Sequence, residues 1–298
     1  MSLQINNLSK SFKTPVFRDF SISFPEDSIT CVLGPSGCGK TTLLNMIGGI
    51  LPADEGSLEG FEHKVFSYVF QEPRLLPWKT VTENIEFVLN RELHAGERKK
   101  QAARLIRQVE LEGFAGYYPA QLSGGMRQRV SIARAFAVPS DIILMDEPLK
   151  GLDVALKKNL IKWFLDIWKS DRRTVIFVTH DVDEALLLGD RIVVLSRAPA
   201  AIISQISIPS LPGNRDTDRD LLKTIKEKLI NDLEKLIQEL TTLKTAMENG
   251  DRNLLQQKLS YAKEIRDRIP YTRKGLIPTF SEIIFPLLLI TACNRLYQ

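Results

Sequence analysis

A glycine-rich loop between a predicted strand and a predicted helix constrains the fold of this chain more than any other feature. The apolar stretch Ser28 to Leu33 runs directly into Gly34-Pro35-Ser36-Gly37-Cys38-Gly39-Lys40-Thr41-Thr42, and the helical pattern Lys40 to Ile50 follows. The loop fits G-x-x-x-x-G-K-[ST], in which glycines let backbone amides and a helix N-terminus meet a phosphate. Lys40 adds a charge near the β and γ phosphates, and the Thr41 hydroxyl suits Mg²⁺. These residues are therefore predicted to bind a nucleotide.

Short apolar runs alternate with helical patterns over the first 200 residues, which predicts an α/β fold with a buried sheet covered by helices. The predicted strands are Ser21 to Phe24, Ser28 to Leu33, Lys64 to Val69, Asp141 to Met145, Thr174 to Val178 and Arg191 to Leu195. The predicted helices are Lys40 to Ile50, Glu97 to Leu111, Met126 to Ala137, Val154 to Trp168 and Val182 to Leu188.

Between Thr80 and Leu122 the strand signals disappear and helical ones replace them, which predicts a helical subdomain at about residues 80–135. One predicted helix there carries a basic run made of Arg98, Lys99, Lys100, Arg104 and Arg107. Such a run usually forms a solvated face, although contact with phosphate or lipid is the alternative.

The composition changes at Ser210 to Asp220, where Pro212, Gly213 and Asn214 interrupt the chain before a long helical pattern. Apolar residues then recur in steps of three and four, and a second such pattern ends at Pro270. We therefore divide the chain into a domain at residues 1–209 and a helical extension at residues 210–298, read as an αα-hairpin. This extension either packs on the domain or its twin, or regulates it.

Charge and cysteine content disfavour several function classes, although the charge does not forbid a nucleic-acid partner. Lys plus Arg number 40 against 36 Asp plus Glu, a net charge of +4, so the composition gives no nucleic-acid signal. The cysteines Cys31, Cys38 and Cys293 have no paired spacing, which argues against disulfides and a zinc site. The apolar run Ile283 to Asn294 is shorter than the roughly 20 residues of a membrane-spanning helix. We expect a folded cytoplasmic protein without a secretory signal.

Two adjacent carboxylates follow another apolar stretch about a hundred residues after the loop. Ile142 to Met145 leads directly into Asp146 and Glu147. Asp146 is predicted to hold magnesium, directly or through water, and Glu147 to act as general base on the attacking water. The pair is only moderately specific alone, but together with the glycine-rich loop it predicts nucleotide hydrolysis.

The stretch Leu122-Ser123-Gly124-Gly125-Met126-Arg127-Gln128-Arg129-Val130 resembles the signature sequence of ATP-binding-cassette (ABC) ATPases. Ser123, Gly124 and Gly125 are predicted to open a helix whose hydroxyl and bare amides can bind an anion. In that family the segment contacts the γ-phosphate of ATP held by the opposite subunit. The resemblance therefore implies ATP hydrolysis, ATP and Mg²⁺ as cofactors, and a working homodimer.

Further positions resemble family motifs in the expected order. Gln71 resembles the Q-loop glutamine that touches magnesium and water, Asp153 the D-loop aspartate, and His180 the switch histidine that contacts the γ-phosphate. Phe12 lies where the family usually has an aromatic residue that stacks on adenine, although core packing would explain it as well. The stretch Leu149-Lys150-Gly151-Leu152 departs from the family, where Phe, a small polar residue and Ala are more common, and this leaves the D-loop geometry open.

The stretch Phe70-Gln71-Glu72-Pro73-Arg74-Leu75-Leu76-Pro77-Trp78 resembles the importer subfamily for nitrate, sulfonate, taurine and related small anions. The resemblance implies an ATPase that drives a separate membrane permease from the inner face of the membrane, with an extracytoplasmic solute-binding protein as an indirect partner. Leu75, Leu76 and Trp78 would line the groove for the permease, or pack beneath the helical subdomain. A soluble ABC-type ATPase that acts on DNA or ribosomes is the alternative, and it is disfavoured because the chain has one cassette and no long coiled-coil insertion.

Overall fold

The computed structural model describes residues 2–89 and 93–208, together with Glu227. The described strands are β1 (Ser2–Ser11), β2 (Pro15–Pro25), β3 (Ile29–Leu33), β4 (Glu55–Glu59), β5 (Phe66–Val69), β6 (Ile142–Asp146), β7 (Thr174–Thr179), β8 (Arg191–Leu195) and β9 (Ile202–Ser207). The helices are α1 (Lys40–Ile47), α2 (Val81–Glu86), α3 (Ala95–Gln108), α4 (Gly124–Ala137), α5 (Val154–Ser170) and α6 (Val182–Leu188). The predicted hairpin at residues 210–298, and with it the domain boundary, lies outside the described residues apart from Glu227.

The central sheet has the strand order β5-β6-β7-β3-β8-β9. Its strands are parallel except for the edge strand β9, which pairs antiparallel with β8. Every residue of β3, β6 and β7 is buried, as the continuous apolar runs in the sequence predict. A second, antiparallel sheet has the order β2-β1-β4. The α/β fold with helices over a parallel sheet is therefore confirmed.

Three helices cover one face of the central sheet, and helix α1 with the antiparallel sheet covers the other. On the first face α4, α5 and α6 bury a core that includes Phe164 and Trp168. On the second face α1 and the antiparallel sheet enclose Phe17, Phe24 and Leu44. The Trp168 indole also donates a 2.8 Å hydrogen bond to the carbonyl of Arg173, so its burial leaves no donor unpaired.

The segment after β5 folds into α2, α3, two short 3-10 turns (Glu112–Phe114 and Pro119–Gln121) and α4. These elements enclose a third core made of Val81, Ile85, Leu89, Ala102, Ile106, Val109, Leu111, Leu122, Val130 and Ala133. Helix α2 begins with a capping box in which Thr80 and Glu83 satisfy each other's backbone amides. The basic residues Lys99, Lys100, Arg104 and Arg107 of α3 are exposed, as expected for a solvated face.

The sequence patterns missed β1, β4 and β9 for identifiable reasons, whereas α2 lies within the predicted helical subdomain but was not identified as a separate helix. In β1 the alternation of apolar residues shifts at a bulge between Ile5 and Leu8, where Asn7 has a positive φ of 51°. β4 is mostly exposed and pairs with β1, and β9 is an edge strand with polar residues. Helix α1 ends at Ile47 rather than Ile50, because Gly48 and Gly49 follow and Gly49 has a φ of 69°.

In the part of the chain that the structure describes, no helix is both long and apolar enough to cross a membrane.

Candidate functional site

Four neighbouring strands carry the predicted site residues to one edge of the central sheet. The glycine-rich loop follows β3, Asp146 and Glu147 lie at the end of β6, His180 follows β7, and Gln71 follows β5. Because these strands are parallel and adjacent, their carboxyl ends share one edge, where α/β proteins bind ligands. The topology therefore brings together motifs that are distant in sequence.

The glycine-rich loop turns tightly into the N-terminus of α1. Gly37 and Gly39 have φ values of 79° and 104°, a region that strongly favours glycine. A Cβ on Gly39 would lie 2.5 Å from Cγ1 of Val16, so the loop packs directly against the start of β2. The ammonium of Lys40 is buried and donates to the carbonyl oxygens of Gly34 at 2.8 Å and Pro35 at 3.1 Å. The positive charge of Lys40 is therefore held inside the predicted phosphate loop.

Asp146 and Thr41 form the link between the loop and β6. The Thr41 hydroxyl donates to Oδ1 of Asp146 over 3.1 Å. Burial raises the pKa of the Asp146 carboxyl, and the charge of Glu147 adds to this, while the Thr41 hydrogen bond and the charges of Lys40 and Lys150 oppose it. Two oxygen donors of the kind that Mg²⁺ prefers thus lie side by side at the loop.

Glu147 is nearly buried and is surrounded by basic groups. Its carboxylate lies 2.8 Å from Nζ of Lys150, 3.3 Å from Nδ1 of His180 and 3.6 Å from Nζ of Lys40. Burial raises the pKa of the Glu147 carboxyl, but the close Lys150 ammonium and the charges of Lys40 and His180 outweigh it, so the net pKa is lowered. The φ of Glu147 is 41°, which a non-glycine residue adopts only at a cost in strain. This carboxylate is held charged in a fixed place.

An ion-pair network fixes the segment that follows His180. Lys157 of α5 lies 2.9 Å from Asp181 and 2.7 Å from the buried Glu184. Glu184 also accepts a 2.6 Å hydrogen bond from the Thr179 hydroxyl, and Asp181 caps the N-terminus of α6. These contacts bracket His180, whose own side chain is about half exposed at 46%. The histidine therefore lies on an ordered turn, and part of its side chain is exposed to solvent.

Ser123 and Asp153 each begin a helix. The Ser123 hydroxyl accepts from the amide of Met126, and a carboxylate oxygen of Asp153 accepts from the amide of Leu156. Ser123 and Gly124 are exposed, whereas Gly125 is buried so closely that a Cβ would lie 2.4 Å from Cδ2 of Leu156. The N-terminus of α4 therefore presents a hydroxyl and backbone amides to solvent.

Phe12 and Gln71 are both exposed. Phe12 is 61% exposed in the loop between β1 and β2, so the structure excludes core packing as the reason for this aromatic residue. Gln71 lies in the loop after β5. It follows Phe70, whose ring stacks on the ring of Tyr68 with 4.1 Å between the ring centroids. The guanidinium of Arg74 lies 3.9 Å from the centre of the Phe70 ring. Nucleotide contact by Phe12 and Gln71 remains a prediction.

The described contacts join Lys40, Thr41, Asp146, Glu147 and His180 into one cluster, while the other predicted residues lie on separate elements around it. Sequence reasoning missed Lys150 as a member of this cluster. The Lys150 position stood out only as a departure from the family pattern. Its spacing of three residues from Glu147 was a signal, but this spacing does not reveal the turn that brings the two side chains together.

The donor set at the loop fits a magnesium ion. Thr41 and Asp146 offer adjacent oxygen atoms, and Gln71 is a third predicted oxygen donor from the neighbouring strand end. Within residues 2–89 and 93–208, no group of three or more His, Cys, Asp or Glu side chains is placed to hold a metal. A metal bound by few protein oxygens together with substrate phosphates is the usual arrangement for Mg²⁺.

The chain is similar in sequence to known proteins. The family model for ABC transporters matches residues 17–150. The aliphatic sulfonates import ATP-binding protein of Bacillus licheniformis is 38% identical over 243 residues, which cover 78% of this chain and 94% of that protein. The bicarbonate transport ATP-binding protein of Synechococcus elongatus is 37% identical over 234 residues, covering 73% and 83%.

A solved structure is also similar. It shows an ATP-binding cassette in a dimeric post-hydrolysis state bound to ADP and Pi. It matches with a TM-score of 0.61 and 29% identity, covering 70% of this chain and all of that chain. The importer relatives bear out the resemblance to the subfamily that handles small anions. This chain belongs to the ABC transporter family and is an ATP-binding, ATP-hydrolysing cassette of that family.

Proposed function

We propose that this chain is the ATPase subunit of an ABC importer and that it drives a small anionic solute through a separate membrane permease. The observation that carries the catalytic part is the cluster in which the lysine and threonine of the phosphate loop meet Asp146, Glu147 and His180. These side chains come from three adjacent strand ends. Thr41 lies 3.1 Å from Asp146, and Lys40 and His180 lie 3.6 Å and 3.3 Å from Glu147. Such an arrangement supports in-line attack of water on a terminal phosphate.

Each residue of the cluster has a separate task in this proposal. The loop amides and Lys40 bind the β and γ phosphates, which neutralises charge that develops during transfer. Glu147 accepts a proton from the attacking water, which a carboxylate held in its charged form can do. His180 contacts the γ-phosphate through its partly exposed side chain. Phe12 stacks on the adenine ring, because this aromatic residue is 61% exposed.

Magnesium is the proposed cofactor. Thr41 and Asp146 would hold it, with Gln71 as a further ligand from the loop after β5. When bound, the ion neutralises phosphate charge. The Thr41 hydroxyl and the Asp146 carboxylate already lie 3.1 Å apart, so the chain needs little rearrangement to offer both oxygens to one cation.

A second copy of the chain completes the site. The exposed Ser123 hydroxyl and the α4 N-terminus form an anion-binding surface, and Gly124, Gly125 and Asp153 belong to the same predicted interface. We propose that this surface of one copy contacts the γ-phosphate held by the loop of the other copy. The dimeric state of the similar solved cassette supports this arrangement.

The transport role rests on the relatives. Proteins named for import of sulfonates and transport of bicarbonate share 37% to 38% identity with this chain, and both solutes are small anions. We therefore place the chain on the inner face of the membrane, against permease subunits, with a solute-binding protein delivering the solute outside. Exposed Trp78, at 70%, is the proposed permease contact in the loop that follows Gln71.

Reconstitution tests the transport role. The tagged full-length chain would be purified from native membranes together with the subunits bound to it, and placed in proteoliposomes. We expect ATP-driven accumulation of a labelled anion such as taurine, an alkanesulfonate or bicarbonate, and none with the Lys40→Ala variant. Recovery of the chain from membranes in mild detergent without any bound membrane subunit would contradict the transport role and favour a soluble ATPase.

A further inference from the structure

Three basic side chains surround the carboxylate of Glu147, and they come from different parts of the fold. Lys40 of α1 lies 3.6 Å from Oε1. Lys150, in the loop after β6, lies 2.8 Å from Oε2, and His180, after β7, lies 3.3 Å from the same oxygen. Of these three ion pairs, the one with Lys150 has the shortest distance.

The other two basic groups have other tasks in the proposed function. Lys40 already donates to two carbonyl oxygens of the phosphate loop and is assigned to the β and γ phosphates. His180 is half exposed and is assigned to the γ-phosphate. Once both serve the nucleotide, Lys150 is the remaining member of the trio that can hold the Glu147 carboxylate.

A tight turn brings Lys150 back to Glu147. The amide of Glu147 donates to the carbonyl of Val178 at 3.0 Å, and the amide of Lys150 donates to the carbonyl of Glu147 at 3.1 Å. Between them Leu149 is buried at 3% exposure and anchors the turn in the core. The backbone thus fixes the Cα positions of both residues, and the ion pair with Lys150 fixes the position of the Glu147 carboxylate.

We propose that Lys150 is a positioning residue, which holds Oε2 of Glu147 so that the carboxylate faces the attacking water in a single orientation. The proposal rests on the proposed role of Glu147 as general base. Lys150 contacts the base and not the reacting atoms, so it acts by restricting side-chain rotation. A base held in one geometry reacts faster than one that samples several, because the orientation is settled before the reaction begins.

The test uses the purified full-length chain and its Lys150→Met and Lys150→Arg variants. Lys150 is 43% exposed, so methionine replaces its stem without opening the core. Lys158→Met is the matched control, because Lys158 is an exposed lysine on α5 outside the cluster. Single-turnover hydrolysis gives the rate of the chemical step, fluorescent ATP binding gives the affinity, and thermal melting confirms that each variant is folded.

We expect Lys150→Met to slow hydrolysis about tenfold at unchanged ATP affinity, as for loss of a group that orients another. Lys150→Arg should recover most of the rate, and Lys158→Met should match the wild type. In a Glu147→Gln background, Lys150→Met should cause no further loss, because its partner is already altered. A wild-type rate for Lys150→Met, an equal loss in both backgrounds, or a loss explained by weaker ATP binding would overturn the proposal. Wild-type hydrolysis by Glu147→Gln alone would instead overturn the proposed function of Glu147.

Discussion

Replacing Gly39 with alanine tests whether the phosphate loop needs glycine for its backbone angle alone or also for close packing. Its φ of 104° strains any residue with a side chain, at a cost of about 1 to 2 kcal/mol. The new methyl group would also lie 2.5 Å from Val16 and 3.0 Å from the ring of Phe17, which is only 1% exposed. Overpacking of this kind adds about 1 to 3 kcal/mol, so we expect a total loss of about 2 to 5 kcal/mol.

Gly49→Ala is the control for this prediction. Gly49 also has a positive φ, 69°, but a Cβ added to it would meet nothing within 4 Å, so this change carries only the backbone strain of about 1 to 2 kcal/mol. Urea unfolding, followed by tryptophan fluorescence to which the buried Trp168 contributes, measures both variants against the wild type. Equal losses for the two variants would refute the argument that contact with β2 demands glycine at position 39.

Three further variants test the ion-pair network, the magnesium site and the adenine contact. Lys157→Met removes the cation that pairs with buried Glu184, and urea unfolding should show a loss of about 2 to 4 kcal/mol; an unchanged midpoint would contradict the network. Thr41→Val should weaken ATP binding in Mg²⁺ but not in EDTA, and equal weakening in both would argue against a metal ligand. Phe12→Ala should leave the melting temperature unchanged, since the ring is exposed, and lower ATP affinity by about tenfold; unchanged affinity would exclude stacking.

The sequence predicted the centre of the fold well because that part obeys local rules. Strands β3, β6 and β7 are continuous apolar runs buried on both faces, and the loop after β3 carries its own glycine pattern. The antiparallel sheet was less predictable. Its β1 changes face at a bulge beside Asn7, and β4 has almost no buried residue, so the pairing between them decides their structure.

The candidate site likewise has features that local sequence predicts and features that depend on the fold. Motifs identified its residues one by one, and parallel strand order explains why they meet. The contact of Lys150 with Glu147 was not predictable, because it depends on a turn in which Glu147 adopts a φ of 41°. Non-glycine residues rarely adopt that angle, so a pattern of residue types gives no warning of it.

The central claim is that Glu147 is the base of an ATPase that works as a dimer, and one comparison tests it most directly. Wild type and Glu147→Gln would be assayed for ATP hydrolysis in Mg²⁺, with their oligomeric state followed by light scattering at increasing ATP concentration. The account predicts turnover by the wild type, and for Glu147→Gln a rate lower by about a hundredfold or more with a stable ATP-bound dimer. Equal hydrolysis by the two proteins, or the absence of an ATP-dependent dimer in Glu147→Gln, would contradict it.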